Sequence, residues 1–205
     1  MLKLWGRANS MNVHKPMLML AELGLAYERV DAGMAFGVVG TAEYRALNPN
    51  GVVPTLEHDG FVLWESNTIV RYLAGTFGDA AMWPADPKAR AHEDQWMDWQ
   101  QTVLLAPITV CFWGLVRSPG AKTPQDIDAA RAQCEVAFAA LDRCLSDRAF
   151  IAGGHFGMAD CVLAPAVHRW FNLPLAREEK PHLRRYYESF MERDSVNAVL
   201  KLPLT

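Results

Sequence analysis

Cysteine is scarce in this chain and poorly placed for chemistry. The four, Cys111, Cys134, Cys144 and Cys161, form no Cys-x-x-Cys pair, and all fall in segments of helical periodicity. A dithiol redox centre, a cysteine-based zinc site and a disulfide scaffold are therefore unsupported. Small buried hydrophobes in a reducing cytoplasm are the expected state. An excess of one charge is also missing: the formal net charge is −3 over 205 residues, with no basic run of the kind that grips nucleic acid or anionic lipid. No apolar stretch reads as long and uninterrupted enough to span a membrane. The N-terminus, MLKLWGRANS, has neither a secretory apolar region nor arginine-rich transit character, so export is not expected. What is left is an ordinary composition, 51% apolar and 21% charged, with length enough for two small domains and a sizeable core.

The periodicity divides this length in two. Leu2–Trp5 reads as a short strand ending at Gly6, and Val13–Leu23 carries a helical apolar stripe that stops at Gly24. Ala26–Asp31 can form a second strand, which makes the opening β-α-β with a parallel pair. A glycine-rich loop (33–40), a short helix (42–47), two more strands and a helix complete a β-α-β-α-β-β-α order. Between 77 and 87 the composition shifts to Gly, Ala, Asp and Pro, which predicts a linker at 79–87 between domains 1–78 and 88–205. Beyond Lys88 strand signals vanish. Helices are predicted over 88–116, bent at Pro107 because an interior proline breaks a ladder bond, then over 125–145, 158–171 and 181–193, with a short terminal turn. The fold class is α/β followed by an all-α bundle.

The densest segment runs from Asn48 to Ala74, NPNGVVPTLEHDGFVLWESNTIVRYLA. Val52–Leu56 is strand-like, yet holds Pro54 where a central strand would reject it, so the proline belongs at the strand's mouth and is the expected place for a cis peptide. That geometry leaves the backbone N–H and C=O of Val53 open to an extended peptide. Asp59-Gly60 signals a hairpin, and Glu65-Ser66-Asn67 opens a helix. Ser66 there offers a hydroxyl and unsatisfied N–H groups to a carboxylate, and Glu65 offers a carboxylate to an ammonium. A main-chain edge, an anion site and a cation site together suit a small zwitterionic peptide.

VVPTL followed by WES and an amphipathic helix resembles the glutathione-binding half of the cytosolic glutathione transferases. The likeness continues through Ser10 near the N-terminus, LNPNG before the Val-Pro, and Gly154–Asp160 in the helical half. The resemblance, to bacterial theta- and delta-like or nu- and Ure2-like members, implies a thioredoxin-like first domain and a homodimer. It implies glutathione as co-substrate with a small electrophile, and neither a metal nor a resident cofactor. No cysteine stands near Ser10, where thioredoxins and cysteine-dependent transferases carry their nucleophile. In such a site Val53 and Pro54 would present the backbone edge, Glu65 and Ser66 would hold the γ-glutamyl end, and Ser10 would hydrogen-bond the glutathione thiolate. Ser10 could instead simply cap the first helix. Asn12 competes for the thiolate, because Ser10-x-Asn12 also resembles the nu-class pattern, some of whose members are disulfide reductases or peroxidases. A non-catalytic, transferase-like binding module is the reading outside enzymes.

The second substrate is expected against Met11 and Phe36 of the first domain and Phe112, Trp113, Val116 and Arg117 of the long helix, with Trp170 and Phe171 as further wall. Arg117 beside an apolar pocket would favour an anionic or electron-poor electrophile. Arg7 and Asn9 are loop residues within reach of substrate, and His14 is expected at the surface or a domain contact. Two departures from the family pattern stand out. Gly51 takes the place of a histidine found in delta-like members, and Gly157 takes that of a Ser/Thr helix cap, with Asp160 able to reach back as in a capping box. Trp96 and Trp99, near the Arg71–Tyr72 helix, mark an apolar seam for dimerisation.

Overall fold

The structure, a computed structural model, describes residues 1–202, so the last three residues of the expected second domain lie outside the described residues. Four strands, β1 (Leu2–Trp5), β2 (Tyr27–Val30), β3 (Thr55–His58) and β4 (Phe61–Trp64), form one mixed sheet in the order β2-β1-β3-β4. β1 and β2 run parallel across α1 (Met11–Glu22), while β3 and β4 make an antiparallel hairpin through Asp59 and Gly60, both at positive φ. α2 (Ala42–Leu47) lies between β2 and β3, and α3 (Ser66–Phe77) follows β4. Leu2, Leu4 and Leu56 from the sheet, Leu18 and Leu20 from α1 and Ile69, Val70 and Leu73 from α3 are buried together. This is the thioredoxin-like order.

The rest is helical: α4 (Pro87–Trp99), α5 (Leu105–Phe112), α6 (Pro124–Cys144), α7 (Met158–Asn172), α8 (Pro181–Met191) and α9 (Asp194–Leu200). α4 and α5 belong to one helical rod, Pro87–Arg117. The expected bend at Pro107 takes another form: π-helical turns at Gln100–Leu104 and Trp113–Arg117 flank α5. Pro107 cannot donate to the carbonyl four residues back, and a wider turn just before it absorbs the lost ladder bond. With a mean hydropathy of 1.3 over 18 residues, this rod passes as a membrane span by length and composition, which reading separate apolar stretches had not anticipated. Its buried residues Leu104, Ile108, Cys111 and Phe112 belong to the protein core. Gly114 is needed on it because a Cβ there would come within 2.7 Å of Ile127 on α6.

α7 is the central helix, buried at every position from Met158 to Trp170. Its start explains the missing Ser/Thr cap. A Cβ on Gly157 would stand 2.5 Å from Glu93 Oε2 of α4, and that same carboxylate accepts the Ala159 N–H at 3.0 Å. α4 thus supplies from outside the acceptor that a serine would supply locally. Asp160 completes the capping box, accepting from Gly157 N (2.9 Å), Ile151 N (3.1 Å) and the Tyr186 hydroxyl (2.8 Å). Burial pushes its carboxyl up to about 7, against the pull of those donors.

The two halves share a tight seam. Lys15 of α1 is fully buried and donates to Asn67 Oδ1 (3.0 Å) and Gln101 Oε1 (3.2 Å), and Asn67 in turn donates to the Met97 carbonyl (2.7 Å). Arg193 grips Glu22 through two hydrogen bonds.

Candidate active site

The strand register gathers the predicted residues at one end of the sheet. Trp5, the last residue of β1, pairs with Val30 at the end of β2 and with Thr55 at the start of β3, and Thr55 pairs with Trp64 at the end of β4. The segments holding Arg7–Ser10, Gly33, Val53-Pro54 and Glu65-Ser66 therefore all emerge on the same edge. A Cβ on Gly33, at φ +83°, would lie 3.1 Å from the Arg7 guanidinium and 3.6 Å from Val53, which shows how closely three of these segments approach.

Val53-Pro54 is a cis peptide. Val53 makes no backbone hydrogen bond with the described residues. Its position is set by a buried polar ring that sequence reading overlooked. Tyr44 donates to the Val52 carbonyl at 2.8 Å, Asn48 Nδ2 donates to the same carbonyl at 2.9 Å, and the Thr55 hydroxyl sits 2.8 Å from Tyr44 Oη and 3.1 Å from Asn48 Nδ2. LNPNG is thus a clamp on the strand mouth. Gly51 follows from the same turn: its φ is +62°, and a side chain would begin 3.0 Å from the Val39 carbonyl. A histidine there would hold a strained backbone and crowd that carbonyl.

Two helices point unfilled N-termini at this edge. Ser10 is the N-cap of α1 by backbone position, but its side chain makes no capping bond, and the first turn holds no acid. Glu65 precedes α3 at φ +73°, ψ +112°, again with no side-chain cap, and Ser66 behind it is 4% exposed. A non-glycine residue held at positive φ costs on the order of 1–3 kcal/mol and persists only where its surroundings impose it. By contrast, α2, α4 and α6 are capped by Thr41, Asp86 and Thr123. Free N–H groups and the helix dipole make the two open ends anion-seeking.

Ser10, Met11 and Asn12 also line a cavity of about 150 Å³ between the halves, with Phe112, Trp113 and Arg117 opposite. Five of the nine side chains expected for chemistry or second substrate besides Ser10 and the sheet edge, namely Met11, Asn12, Phe112, Trp113 and Arg117, thus meet around Ser10. Phe36 does not: it lies on a single 3-10 turn (Met34–Phe36), is 53% exposed and stays out of the cavity lining. Trp170 stacks on Phe138 in the helical core and Phe171 on Tyr187, while Val116 packs against the core, so these three are not in the lining either.

Arg7 joins the cavity, as do three residues that sequence reading missed, Leu105 and Thr109 of α5 and Arg169 of α7. The signal for Arg169 was an arginine in a largely apolar helical segment. Arg169 stands 3.9 Å from the Phe112 ring centroid and Arg117 stands 4.8 Å from it. Burial, and then the charges of Arg117 and Arg7, lower Arg169 to about 9. Burial also lowers Arg7, with Arg117 adding to it. His14 and His168, beside the cluster, are held down to about 4, chiefly by burial. His14 is buried rather than at the surface, and its Nε2 donates to the Ala8 carbonyl in the Ser10 loop.

Comparison with known proteins identifies this geometry. The glutathione S-transferase N-terminal domain matches residues 1–75 and the glutathione S-transferase C-terminal domain matches 124–189, together well over half the chain. The chain belongs to the glutathione S-transferase family. The relatives of this transferase include the glutathione S-transferase GstB of Escherichia coli K12, 41% identical with full coverage of both chains. Human glutathione S-transferase theta-1 is 33% identical over 125 residues, covering 58% of this chain and 52% of the human one. Among solved structures, the theta class glutathione S-transferase of Xanthomonas axonopodis pv. citri with glutathione bound superposes with a TM-score of 0.96 at 40% identity, covering 100% of this chain and 99% of that one. Of the transferase's four cysteines, Cys111, Cys134 and Cys161 are buried and Cys144 is partly so, all as free thiols.

Proposed function

We propose that this transferase is a cytoplasmic detoxifying enzyme that binds glutathione along the sheet edge and joins its thiolate to a small electrophile in the adjoining cavity. The observation that carries this reading is the convergence of an open Val53 backbone, two unfilled helix N-termini and the Ser10 hydroxyl at one edge. Glutathione's cysteinyl backbone would pair with Val53, its ammonium with Glu65 and its γ-glutamyl carboxylate with Ser66. The sulfur would then lie at the head of α1, where the hydroxyl of Ser10 and the helix dipole favour the ionised thiol. Glutathione is the co-substrate, and the reaction needs no resident cofactor: the protein supplies proximity, orientation and thiolate stabilisation.

Calorimetry tests the placement. Ser66→Ala should weaken glutathione binding by about 1–3 kcal/mol, the worth of a hydrogen bond to a charged group. Unchanged affinity would remove Ser66 from the site. The disulfide reductase or peroxidase reading draws support from Asn12, which lines the same cavity and whose Oδ1 is buried without a partner. Turnover of an aryl halide, a hydroperoxide and a mixed disulfide by the same preparation separates the two.

A homodimer completes the proposal. Val103 (46% exposed) and Val136 (75% exposed) flank Trp99 on an apolar hollow of about 510 Å³ formed by the long rod and α6, and Phe61 and Trp64 of β4 are exposed as well. The seam drawn from Trp96 and Trp99 is in part internal, since their rings pack edge to face at 5.0 Å and Arg71 is paired with Asp94 and Asp98 within the chain.

A further inference from the structure

Lys15 is fully buried at the seam between the halves, yet it enters no ion pair among the described residues. Its ammonium donates to two amide oxygens, Asn67 Oδ1 at 3.0 Å and Gln101 Oε1 at 3.2 Å, which are dipoles without net charge. Taking an ammonium out of water is costly unless an opposite charge answers it, so packing alone does not account for a lysine at this position. Asn67 connects it to the glutathione edge. It is the second residue of α3, directly after Ser66, and its own amide donates to the Met97 carbonyl at 2.7 Å. The Lys15 ammonium is thus anchored just behind the open head of α3, where no side chain caps the helix and no acid occupies the first turn. Glu65 brings one negative charge to that head, and the γ-glutamyl end of glutathione would add an ammonium and a carboxylate. Two negative groups then meet one positive group, and Lys15 supplies the second. We infer that Lys15 is a positioning residue for glutathione: through Asn67 it fixes the head of α3, and its charge behind Ser66 favours the γ-glutamyl carboxylate there.

The inference rests on the proposed transferase reading and adds to it a residue that acts from behind the binding edge. A pH dependence follows from the geometry. Burial lowers the Lys15 ammonium to about 7, with the charge of Glu65 pulling the other way. A carboxylate bound at the head of α3 acts in the same sense as Glu65 and raises it again. Affinity for the γ-glutamyl carboxylate is therefore full below pH 7 and falls as pH rises through that value, because binding must then recover the lost proton. Groups on the surrounding helices do not imitate this. Arg71 is paired with Asp94 and Asp98, Glu22 is paired with Arg193, Glu93 accepts from the head of α7, and Asp194 of α9 is exposed. His14 and His168, at about 4, stay neutral between pH 6 and 8, and Arg169, at about 9, stays charged. Asp160, at about 7, does titrate in this range, but it is bound at the start of α7 to Gly157, Ile151 and Tyr186 and would affect every ligand alike.

The test titrates three ligands calorimetrically into the full-length protein. One is S-methylglutathione, whose blocked sulfur removes thiol ionisation from the measurement. The others are its analogues with 4-aminobutyryl in place of γ-glutamyl, which lacks the carboxylate, and with glutaryl, which lacks the ammonium. Lys15→Met keeps most of the volume and removes the charge. It should bind S-methylglutathione and the glutaryl analogue at least fivefold more weakly than the wild type does, and the 4-aminobutyryl analogue within twofold. The wild-type affinity for the two carboxylate-bearing ligands should fall at least threefold from pH 6 to pH 8, a fall that the 4-aminobutyryl analogue and the variant do not show. Because a buried lysine variant could fail to fold, the wild-type comparison of the three ligands decides by itself. Equal weakening of all three ligands in Lys15→Met, or a wild-type pH response that is absent or shared by all three, would overturn the role of Lys15 while leaving the transferase intact. If neither glutathione nor S-methylglutathione binds, the transferase reading fails and the role of Lys15 fails with it.

Discussion

A serine at a helix N-cap ordinarily turns its hydroxyl onto the N–H groups of the first turn, and Ser10 does not. A hydroxyl that skips this bond remains available to a ligand. Two consequences separate a thiolate partner from a cap. Ser10→Ala should leave stability within about 0.5 kcal/mol of wild type, because no capping bond is lost, whereas a true cap would lose ~0.5–2 kcal/mol. The same variant should lower kcat/KM by roughly 10- to 100-fold, equivalent to about 1.4–2.7 kcal/mol of transition-state stabilisation. The thiolate absorbance of the glutathione complex should move to higher pH. If instead Asn12→Ala loses rate and shifts the titration while Ser10→Ala does neither, the amide is the thiolate partner. Residue types alone could place both near the sulfur, since the loop before α1 is short. The choice between them depends on rotamers that no spacing rule specifies.

At the scale of elements, the start of α7 shows a cap assembled from another helix. Glu93 fills the volume a side chain at position 157 would need, so glycine is required there by packing rather than by its backbone angles. Gly157→Ala should destabilise the fold by ~1–3 kcal/mol through overpacking against a buried carboxylate, read as a lowered urea midpoint at unchanged m-value. A neutral effect would mean that Glu93 swings away freely. Likewise, the long rod accommodates Pro107 with a π-helical turn at Gln100–Leu104 just before α5. Periodicity revealed each of these helices to within a few residues. Asp160 was legible as a local capping-box partner, but the Glu93 acceptor was not, because it lies 66 residues away in sequence.

For the whole molecule, the seam between the halves sets the pH response. His14 of α1 and His168 of α7 are both held near 4 when folded, against an ordinary imidazole value of 6.5. The unfolded chain therefore binds more protons between those values. The stability each histidine contributes is full above pH 6.5 and is lost as pH falls towards 4, with a slope of up to about 1.4 kcal/mol per pH unit. Asp160, raised to about 7, acts in the opposite sense, so the histidine share is read as a difference. His168→Gln should lose less stability than wild type between pH 6.5 and 4.5 in urea titrations, and parallel curves would refute the linkage. Light scattering should give twice the chain mass at micromolar concentration, with Val136→Lys shifting it to the monomer. A monomer for the wild type across a wide concentration range would refute the dimer.

The division of labour between sequence and tertiary structure follows from the range of the forces involved. Backbone signals act over a few residues, and so the two-part architecture, the hairpin at Asp59-Gly60, the proline at the mouth of β3 and the Glu-Ser helix start were all legible from the chain alone. Placing Phe36 in the second-substrate wall and missing Arg169 share one cause. Which side chains face a cavity depends on how α1, α5 and α7 pack, and apolar periodicity marks burial without saying against what. The ring of Tyr44, Asn48 and Thr55 around Val52, the Glu93 cap on α7 and the three arginines around Phe112 each join residues distant in sequence or separated by a turn. Only the folded chain decides them, because hydrogen bonds and buried charges are satisfied by whatever neighbours tertiary packing supplies.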